Sequence, residues 1–459
     1  MGEIVTTDEL RGVVVVTVDS LRADATATMP TLQSIGDRGS QFEHAFATGN
    51  WTPFSFPSLL GADPVFTTDG SLGPSERPTL AETLSDAGVE TAGFNAANGF
   101  LTPHWGYDRG FDRFEAFTDG TGWLDAHPTA HGWLQFAGWP LRRVQDWLAG
   151  NENRHAVDTS KLLAVEERAT DFLESVDDRF FMWVHLMDTH TPYVPAPRYL
   201  REVTDGSVGS VGMLRAHIRT GLGREVSGAT LDRLRALYDA AALQVDDTLG
   251  RLLDTLDAAG LRDETMVVVA GDHGEEFAEH GHLAHYPKVY DELVRVPLVV
   301  DYPDADARDV ATPVGLDTVP ATVTDALGVD ADFDGRSSLP TIVDGETPPA
   351  DPVVSVALRG DSVTEQPIPR TLDDGDLLVA ARSGRWTYIR NTSDGSHELY
   401  DRRADPGEQT DLWPTASEEP KVDRLREAAE AHLDRIVSDA ETEELPDEVA
   451  DRLKTLGYR

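Results

Sequence analysis

Short runs of apolar, β-branched residues recur along the chain at long intervals. The clearest are Val13–Val18, Met266–Ala270 and Val296–Val300, and each is too short for a helix. Continuous apolar runs of this length are typical of strands buried on both faces, as in a parallel sheet. The first two end abruptly in polar residues. The pattern predicts the central strands of a covered sheet.

Between these runs, apolar residues recur with a helical period, most clearly over Ala229–Ala259. Strands that alternate with helices predict an α/β fold, with helices on both faces of the sheet. Ligands of such sheets gather at the carboxyl ends of the strands. Asp19, Asp272 and His273 would lie there.

From about Asp373 the residue pattern changes to that of short strands separated by Ser-Gly and Asp-Gly turns. The predicted strands are Leu377–Ala381, Trp386–Arg390 and Glu398–Tyr400. We predict a catalytic α/β domain over residues 11–370 and a small C-terminal subdomain over 371–459, with an antiparallel sheet and charged terminal helices. Segment 120–150 holds four of the nine tryptophans. Helical packing and a substrate-facing lid both explain it.

The charge balance limits the partners of the chain. There are 39 basic and 81 acidic residues among 459, a net charge of −42, and only four of the basic residues are lysine. Such a field disfavours nucleic acid and anionic membranes, and it suits a halophilic protein dissolved in concentrated salt. The chain has no cysteine, so thiolate chemistry is excluded. We expect a cytoplasmic protein without a transmembrane segment.

Four polar segments offer candidate chemistry. Asp19 ends the first apolar run, although an aspartate there can be a helix cap. Thr52 lies in a turn that leads into a predicted helix, where free N–H groups favour anions, although a threonine before proline is also common in a capped turn. Asp272 and His273, with more histidines close behind, favour a metal site. The fourth segment, His185–His190, contains two histidines and an aspartate. Hydrogen-bonded polar groups of the core are the alternative explanation.

Together the four segments resemble the sulfatase family of the alkaline phosphatase superfamily, and the acidic composition adds a resemblance to haloarchaeal-type sulfatase-like hydrolases. The resemblance extends to the segments Tyr290–Leu298, Asp317–Gly328 and Glu398–Asp401, in the same order. It implies an alkaline-phosphatase-like, mixed and mostly parallel sheet flanked by helices. The roles that it implies are metal ligation by Asp19, Thr52, Asp272 and His273, catalysis by Thr52, His190 and His285, and substrate binding by Arg22 and Lys288.

The departures from the family pattern bear on the chemistry. The family has Cys or Ser at the nucleophile, oxidised to formylglycine, and an arginine nearby. This chain has Thr52 and lacks that arginine. A sulfated threonine cannot release sulfate through a hemiacetal, whereas metal-activated water can attack a phosphorylated threonine in line. Chemistry therefore favours phosphate esters over sulfate esters. Ser20 replaces the second aspartate of the family's pair, which disfavours its calcium site.

We therefore predict a metal-dependent hydrolase of small-molecule, glycan-linked or lipid-linked sulfate or phosphate esters. One divalent ion is expected, with Ca²⁺, Mn²⁺, Mg²⁺ and Zn²⁺ all open. A two-metal site that adds Asp188, His190 and His285 is the alternative. A phosphoryl or headgroup transferase and a non-catalytic binding protein remain rival functions.

Overall fold

A computed structural model describes residues 10–61, 63–66, 72–117, 160–204, 219, 226–285, 287–359, 376–416 and 420–440. The tryptophan-rich segment 120–150 lies outside the described residues.

The strands are β1 Gly12–Val18, β2 Ser40–Phe42, β3 Ala45–Phe46, β4 Glu90–Asn95, β5 Arg113–Glu115, β6 Phe180–Leu186, β7 Thr265–Gly271, β8 Glu276–Phe277, β9 Leu283–Ala284, β10 Arg295–Val296, β11 Leu298–Asp301, β12 Arg308–Val310, β13 Val314–Gly315, β14 Val353–Arg359, β15 Asp376–Arg382, β16 Trp386–Asn391 and β17 His397–Asp401. The helices are α1 Pro30–Arg38, α2 Thr52–Leu60, α3 Leu80–Asp86, α4 Leu162–Ser175, α5 Pro197–Val203, α6 Gly228–Ala258, α7 Asp291–Val294, α8 Thr318–Ala326, α9 Leu339–Asp344, α10 Trp413–Ala416 and α11 Pro420–Ala440.

The main sheet has eight strands in the order β12-β2-β11-β7-β1-β6-β4-β5. Strand β11 is antiparallel to both of its neighbours, and the other pairs are parallel. The predicted mixed, mostly parallel α/β sheet is confirmed. Pro297 interrupts the third apolar run, so that β10 pairs in a separate small sheet and β11 joins the main one.

Both faces of β1 are buried, which explains its uninterrupted valines. Val13 and Val15 belong to the core on one face, together with Phe56 of α2. Val14 and Val16 belong to the core on the other face, where α4 and α6 cover the sheet. Fully burying a valine contributes about 1.5–3 kcal/mol. The strand therefore fixes the centre of the fold.

The C-terminal sheet is antiparallel, in the order β14-β15-β16-β17. The three strands predicted from the sequence are confirmed as β15, β16 and β17. The fourth strand, β14, lies within residues 11–370. It belongs to this sheet because it pairs with β15 along its whole length. The domain boundary after residue 370 stays a prediction.

The segment that carries Thr52 is held between the two sheets. Phe54 of α2 shares a buried cluster with Val356 of β14, Tyr388 of β16 and Leu425 of α11. On the other face of the same helix, Phe56 packs against Trp183 of β6, with ring centroids 5.6 Å apart. The C-terminal subdomain thus fixes the position of α2. None of the described helices is long and apolar enough to cross a membrane. The predicted cytoplasmic location stays a prediction.

Candidate active site at the carboxyl edge of the main sheet

The sequence-predicted residues converge because four parallel strands, β7, β1, β6 and β4, lie side by side. Val18 is in register with both Leu186 and Gly271. The residues after these strands therefore leave the sheet at one level, and Asp19, Asp272 and His273 meet there. All three are fully buried.

Thr52 is the first residue of α2, and it reaches this cluster from outside the sheet. Its Oγ1 donates to Asp19 Oδ2 at 3.2 Å and lies 3.5 Å from His273 Nε2. The positive end of the helix dipole favours negative charge on an oxygen at this position. The helix end therefore favours an alkoxide at Thr52, whereas the neighbouring carboxylates oppose it.

Asn98 joins the site without having been predicted from the sequence. Its Nδ2 lies 2.9 Å from Asp19 Oδ2 and 3.3 Å from Thr52 Oγ1. The loop after β4 is closed by Asn95, whose Oδ1 accepts from Asn98 N at 3.0 Å and whose Nδ2 donates to Asn98 O at 2.8 Å. The available sequence signal for Asn98 was an Asn-x-x-Asn-Gly turn directly after a strand. The sequence does not show where that strand lies in the sheet, so it did not place Asn98 near Asp19.

Ser20 links the two carboxylates. Its Oγ donates to Asp19 Oδ1 at 2.9 Å, and its N–H donates to Asp272 Oδ1 at 3.1 Å. Its φ of 58° lies in the left-handed region, which costs energy for a residue with a side chain and occurs often at functional sites. Ser20 thus holds the aspartates in place by hydrogen bonds.

The buried carboxylates of Asp19 and Asp272, with oxygens within 4.8 Å of each other, repel one another when both are charged. Burial and the charge of Asp19 raise the pKa of Asp272 to about 8. Burial would also raise the pKa of Asp19, but His190, His185 and His273 together hold it far below its usual range. Burial lowers the pKa of His273 below its ordinary value. The cluster therefore requires positive charge, and its own histidines supply only part of it.

A divalent cation would offset the negative charge of these carboxylates. Oxygens of Asp19 and Asp272 and a nitrogen of His185 lie within 4.8 Å of one another. Asp272 Oδ2 is buried and has no hydrogen-bond partner in the part of the chain that the structure describes. Carboxylate and imidazole donors are those that divalent metals take in proteins. The donor set, together with Thr52 and His273, can hold one ion.

His190 and His285 lie together beside the cluster. Their ring centroids are 5.0 Å apart, and the His285 ring is 5.2 Å from that of His273. His190 Nδ1 lies 2.6 Å from Thr191 O, which leaves Nε2 for the site. His285 Nδ1 faces Glu275 Oε2 at 3.4 Å. Glu275, which was not predicted, is fully buried.

The structure places the two predicted substrate-binding cations in ion pairs. Arg22 pairs with Asp24 and Glu279 and also donates to the carbonyl of Glu275. Lys288 pairs with Glu276 at 3.1 Å, and both cations are nearly buried. None of these contacts involves Thr52, Asp19 or Asp272. Substrate binding by Arg22 and Lys288 stays a prediction.

Comparisons with known proteins identify relatives of this chain. The sulfatase family profile matches residues 11–329, more than half of the chain. The multifunctional alkaline phosphatase superfamily protein PehA of Trinickia caryophylli is 29% identical over 260 residues, which are 47% of this chain and 50% of PehA. The chain thus spans about half the length of that relative.

Two further similarities extend over most of the chain. The ulvan-active sulfatase of Formosa agariphila is 24% identical over 474 aligned residues, 98% of this chain and 83% of that protein. The phosphonate monoester hydrolase of Agrobacterium radiobacter superposes with a TM-score of 0.69 at 18% identity, covering 94% of this chain and 96% of that one. The structural similarity to the phosphonate monoester hydrolase shows only that the two proteins share a fold.

The α/β sheet carries a hydroxyl beside buried carboxylates at its carboxyl edge, and the chain is similar in sequence to a member of the alkaline phosphatase superfamily. The chain belongs to the sulfatase family.

Proposed function

We propose that this protein is a metal-dependent hydrolase of phosphate esters that uses Thr52 as its nucleophile. The observation that carries the proposal is the position of Thr52 Oγ1, 3.2 Å from Asp19 Oδ2 and 3.5 Å from His273 Nε2 at a helix N-terminus. A hydroxyl in this position can attack an ester bound at the carboxyl edge of the sheet.

The chain's own residues account for most of the reaction. A divalent cation held by Asp19, Asp272 and His273 would lower the pKa of the Thr52 hydroxyl and offset the charge of the ester. Thr52 Oγ1 gives up its proton to solvent water and forms a bond to phosphorus as the bond to the alcohol oxygen breaks. His285 or His190 gives that oxygen a proton, and Asn98 orients Thr52 through Nδ2. Water then hydrolyses the phosphothreonine, which releases phosphate and restores the hydroxyl.

Threonine itself favours phosphate over sulfate. A threonine cannot be oxidised to formylglycine, so a sulfated Thr52 would be released only by attack of water on sulfur. A phosphorylated Thr52 is open to in-line attack by water. Sulfate esters remain the second candidate, because the ulvan-active sulfatase aligns over 98% of the chain.

We also propose a single metal ion. Within the described residues, the one group of metal-type donors consists of Asp19, His185 and Asp272. Asp188 instead accepts a hydrogen bond from Gln244 Nε2, and His190 Nδ1 contacts a carbonyl oxygen. Neither arrangement favours a second ion.

The test is a substrate panel. Purified protein in high salt is supplied separately with Mn²⁺, Zn²⁺, Mg²⁺ and Ca²⁺, and with a phosphate monoester, a phosphate diester and a sulfate monoester of one alcohol. We expect turnover of a phosphate ester and a phosphorylated Thr52 peptide after acid quench. Thr52→Ala is the matched control.

The other outcomes have separate meanings. Turnover of the sulfate ester alone would overturn the phosphate assignment. Transfer to an added acceptor alcohol in preference to water would indicate a transferase. A metal-loaded protein that turns over none of the esters would support a binding protein.

A further inference from the structure

His185 is a buried member of the donor set with Asp19 and Asp272 that neither the family resemblance nor the proposed mechanism assigns as a ligand of the ion. It lies near the end of β6, in register with Thr17 of β1 and Asn95 of β4. Its side chain is fully buried, and the rings of Phe56 and Trp183 pack around it at centroid distances of 5.1 and 6.1 Å. A polar ring at such a position needs hydrogen-bond partners on both of its nitrogens.

One nitrogen has a partner. His185 Nδ1 lies 2.9 Å from Thr17 Oγ1, which also receives the Nε1–H of Trp183 at 2.9 Å. The Thr17 hydroxyl hydrogen can point to the carbonyl of Val184 at 3.3 Å. A hydroxyl oxygen has one hydrogen and two lone pairs. If the hydrogen goes to Val184, the oxygen accepts from both Trp183 and His185, and Nδ1 carries the proton.

The other nitrogen has no hydrogen-bond partner among the described residues. There, His185 Nε2 is buried and makes no hydrogen bond. The nearest acidic oxygen, Asp19 Oδ2, lies 3.5 Å away, too far for a good N–H···O bond. With the proton on Nδ1, Nε2 presents a lone pair to the cluster of Asp19 and Asp272, whose donor atoms are mutually within 4.8 Å of it.

We propose that His185 is a ligand of the active-site metal through Nε2. With His273, it gives the site two imidazoles beside two carboxylates. Imidazole suits Zn²⁺, Cu²⁺, Fe²⁺ and Ni²⁺, whereas Ca²⁺ takes oxygen ligands. The site therefore selects a transition-metal-type ion over Ca²⁺. Thr17 and Trp183 orient the ring, as hydrogen bonds to the second nitrogen do in other metal-bound histidines. His185 belongs to the same site as the proposed function, but the inference concerns only metal binding there.

The experiment measures metal affinity without substrate. Metal-free protein is titrated with Co²⁺, Zn²⁺ and Ca²⁺ by calorimetry, and the visible spectrum of bound Co²⁺ is recorded. His185→Gln should weaken Co²⁺ and Zn²⁺ by more than about 100-fold, beyond the roughly 10–100-fold effect of an outer partner, and shift the Co²⁺ spectrum. Thr17→Val should fall within that smaller range. His397→Gln, on β17 of the C-terminal sheet, is the control and should bind as wild type.

Unchanged Co²⁺ affinity in folded His185→Gln would overturn the proposal. If that variant does not fold, X-ray absorption of the zinc-loaded wild-type protein decides. Two imidazoles per zinc support the proposal, and one overturns it. Loss of zinc affinity in His185→Gln without turnover of any ester by wild type would refute the proposed function and leave this inference standing.

Discussion

Glu275 Oε2 lies 3.4 Å from Nδ1 of His285, and the other oxygen of Glu275 accepts the hydroxyl of Tyr193. Burial and the charge of Glu275 raise the pKa of Tyr193 well above its ordinary value, so that the phenol remains a donor. His285 also stacks on Trp51, at 6.2 Å between centroids. The buried carboxylate thus orients the imidazole, with Nε2 turned away from Glu275.

Glu275→Gln should reduce turnover most for esters with poor leaving groups. General acid catalysis contributes roughly 10²–10⁴-fold, and it matters little when the leaving group needs no proton. We expect His285→Ala to lose about 100-fold on an alkyl ester and far less on a 4-nitrophenyl ester, with Glu275→Gln showing a smaller loss of the same selectivity. Separate kcat and KM values for both esters check this.

The double variant Glu275→Gln, His285→Ala provides the control for this prediction. If Glu275 acts through His285, the double variant should be no slower than His285→Ala, because coupled residues are not additive. Equal losses on both esters would instead point to a general structural effect.

Thr52→Ala should abolish turnover while the protein stays folded and binds metal, since two carboxylates and two imidazoles remain. A nucleophile loss costs several orders of magnitude. Thr52→Ser keeps the hydroxyl and is the matched control. Single-turnover kinetics and a metal titration test both statements. Activity above about a tenth of wild type in Thr52→Ala would remove Thr52 from this role.

Asn98→Ala should lower kcat by roughly 10²-fold with a smaller change in KM, in the range seen for loss of one preorganised donor. The reason is its pair of contacts, 2.9 Å to Asp19 and 3.3 Å to Thr52. Asn391→Ala, at the end of β16 in the C-terminal sheet, serves as the control. A wild-type kcat in Asn98→Ala would show that the amide only fills space.

Asp272→Asn should weaken metal binding by more than about 100-fold, because removal of a ligand exceeds the loss of an outer partner. The substitution keeps the shape of the side chain and removes its charge. Equilibrium dialysis against Zn²⁺ or Mn²⁺ measures the affinity directly. An affinity equal to that of wild type would place the ion elsewhere.

His432 should make the protein sensitive to acid. Burial, assisted by Arg435, lowers the pKa of His432 to about 4, below its ordinary 6.5, so the unfolded chain takes up this proton first. Its contribution is fully present above pH 6.5 and is lost as the pH falls towards 4, by up to about 3 kcal/mol. Melting temperatures between pH 7.5 and 4.5 should fall less in His432→Gln than in wild type.

The exposed His104 provides the comparison for this measurement. His104→Gln should follow the wild-type curve. Parallel curves for all three proteins would mean that His432 is protonated equally in the folded and unfolded states.

The sequence by itself determined the α/β class and predicted the first members of the candidate site. An apolar run that stops at Asp19 or Gly271 marks a buried strand whose end is polar, and this local pattern needs no knowledge of the fold. Thr52 was indicated by the turn and helix that follow it together with the resemblance to the sulfatase family. The C-terminal strands were indicated by their turns.

Only the tertiary structure decided which other residues meet these. Asn98, Glu275 and His185 became part of the site because β4 and β6 lie beside β1 and because the loop after β7 folds back, and strand order depends on long-range packing. Arg22 and Lys288 carry the charge that an anion would need, but neighbouring acids hold both. The chain has 81 acidic and 39 basic residues, so the sequence offers many possible ion-pair partners for each basic side chain. Only the tertiary packing determines which pair forms.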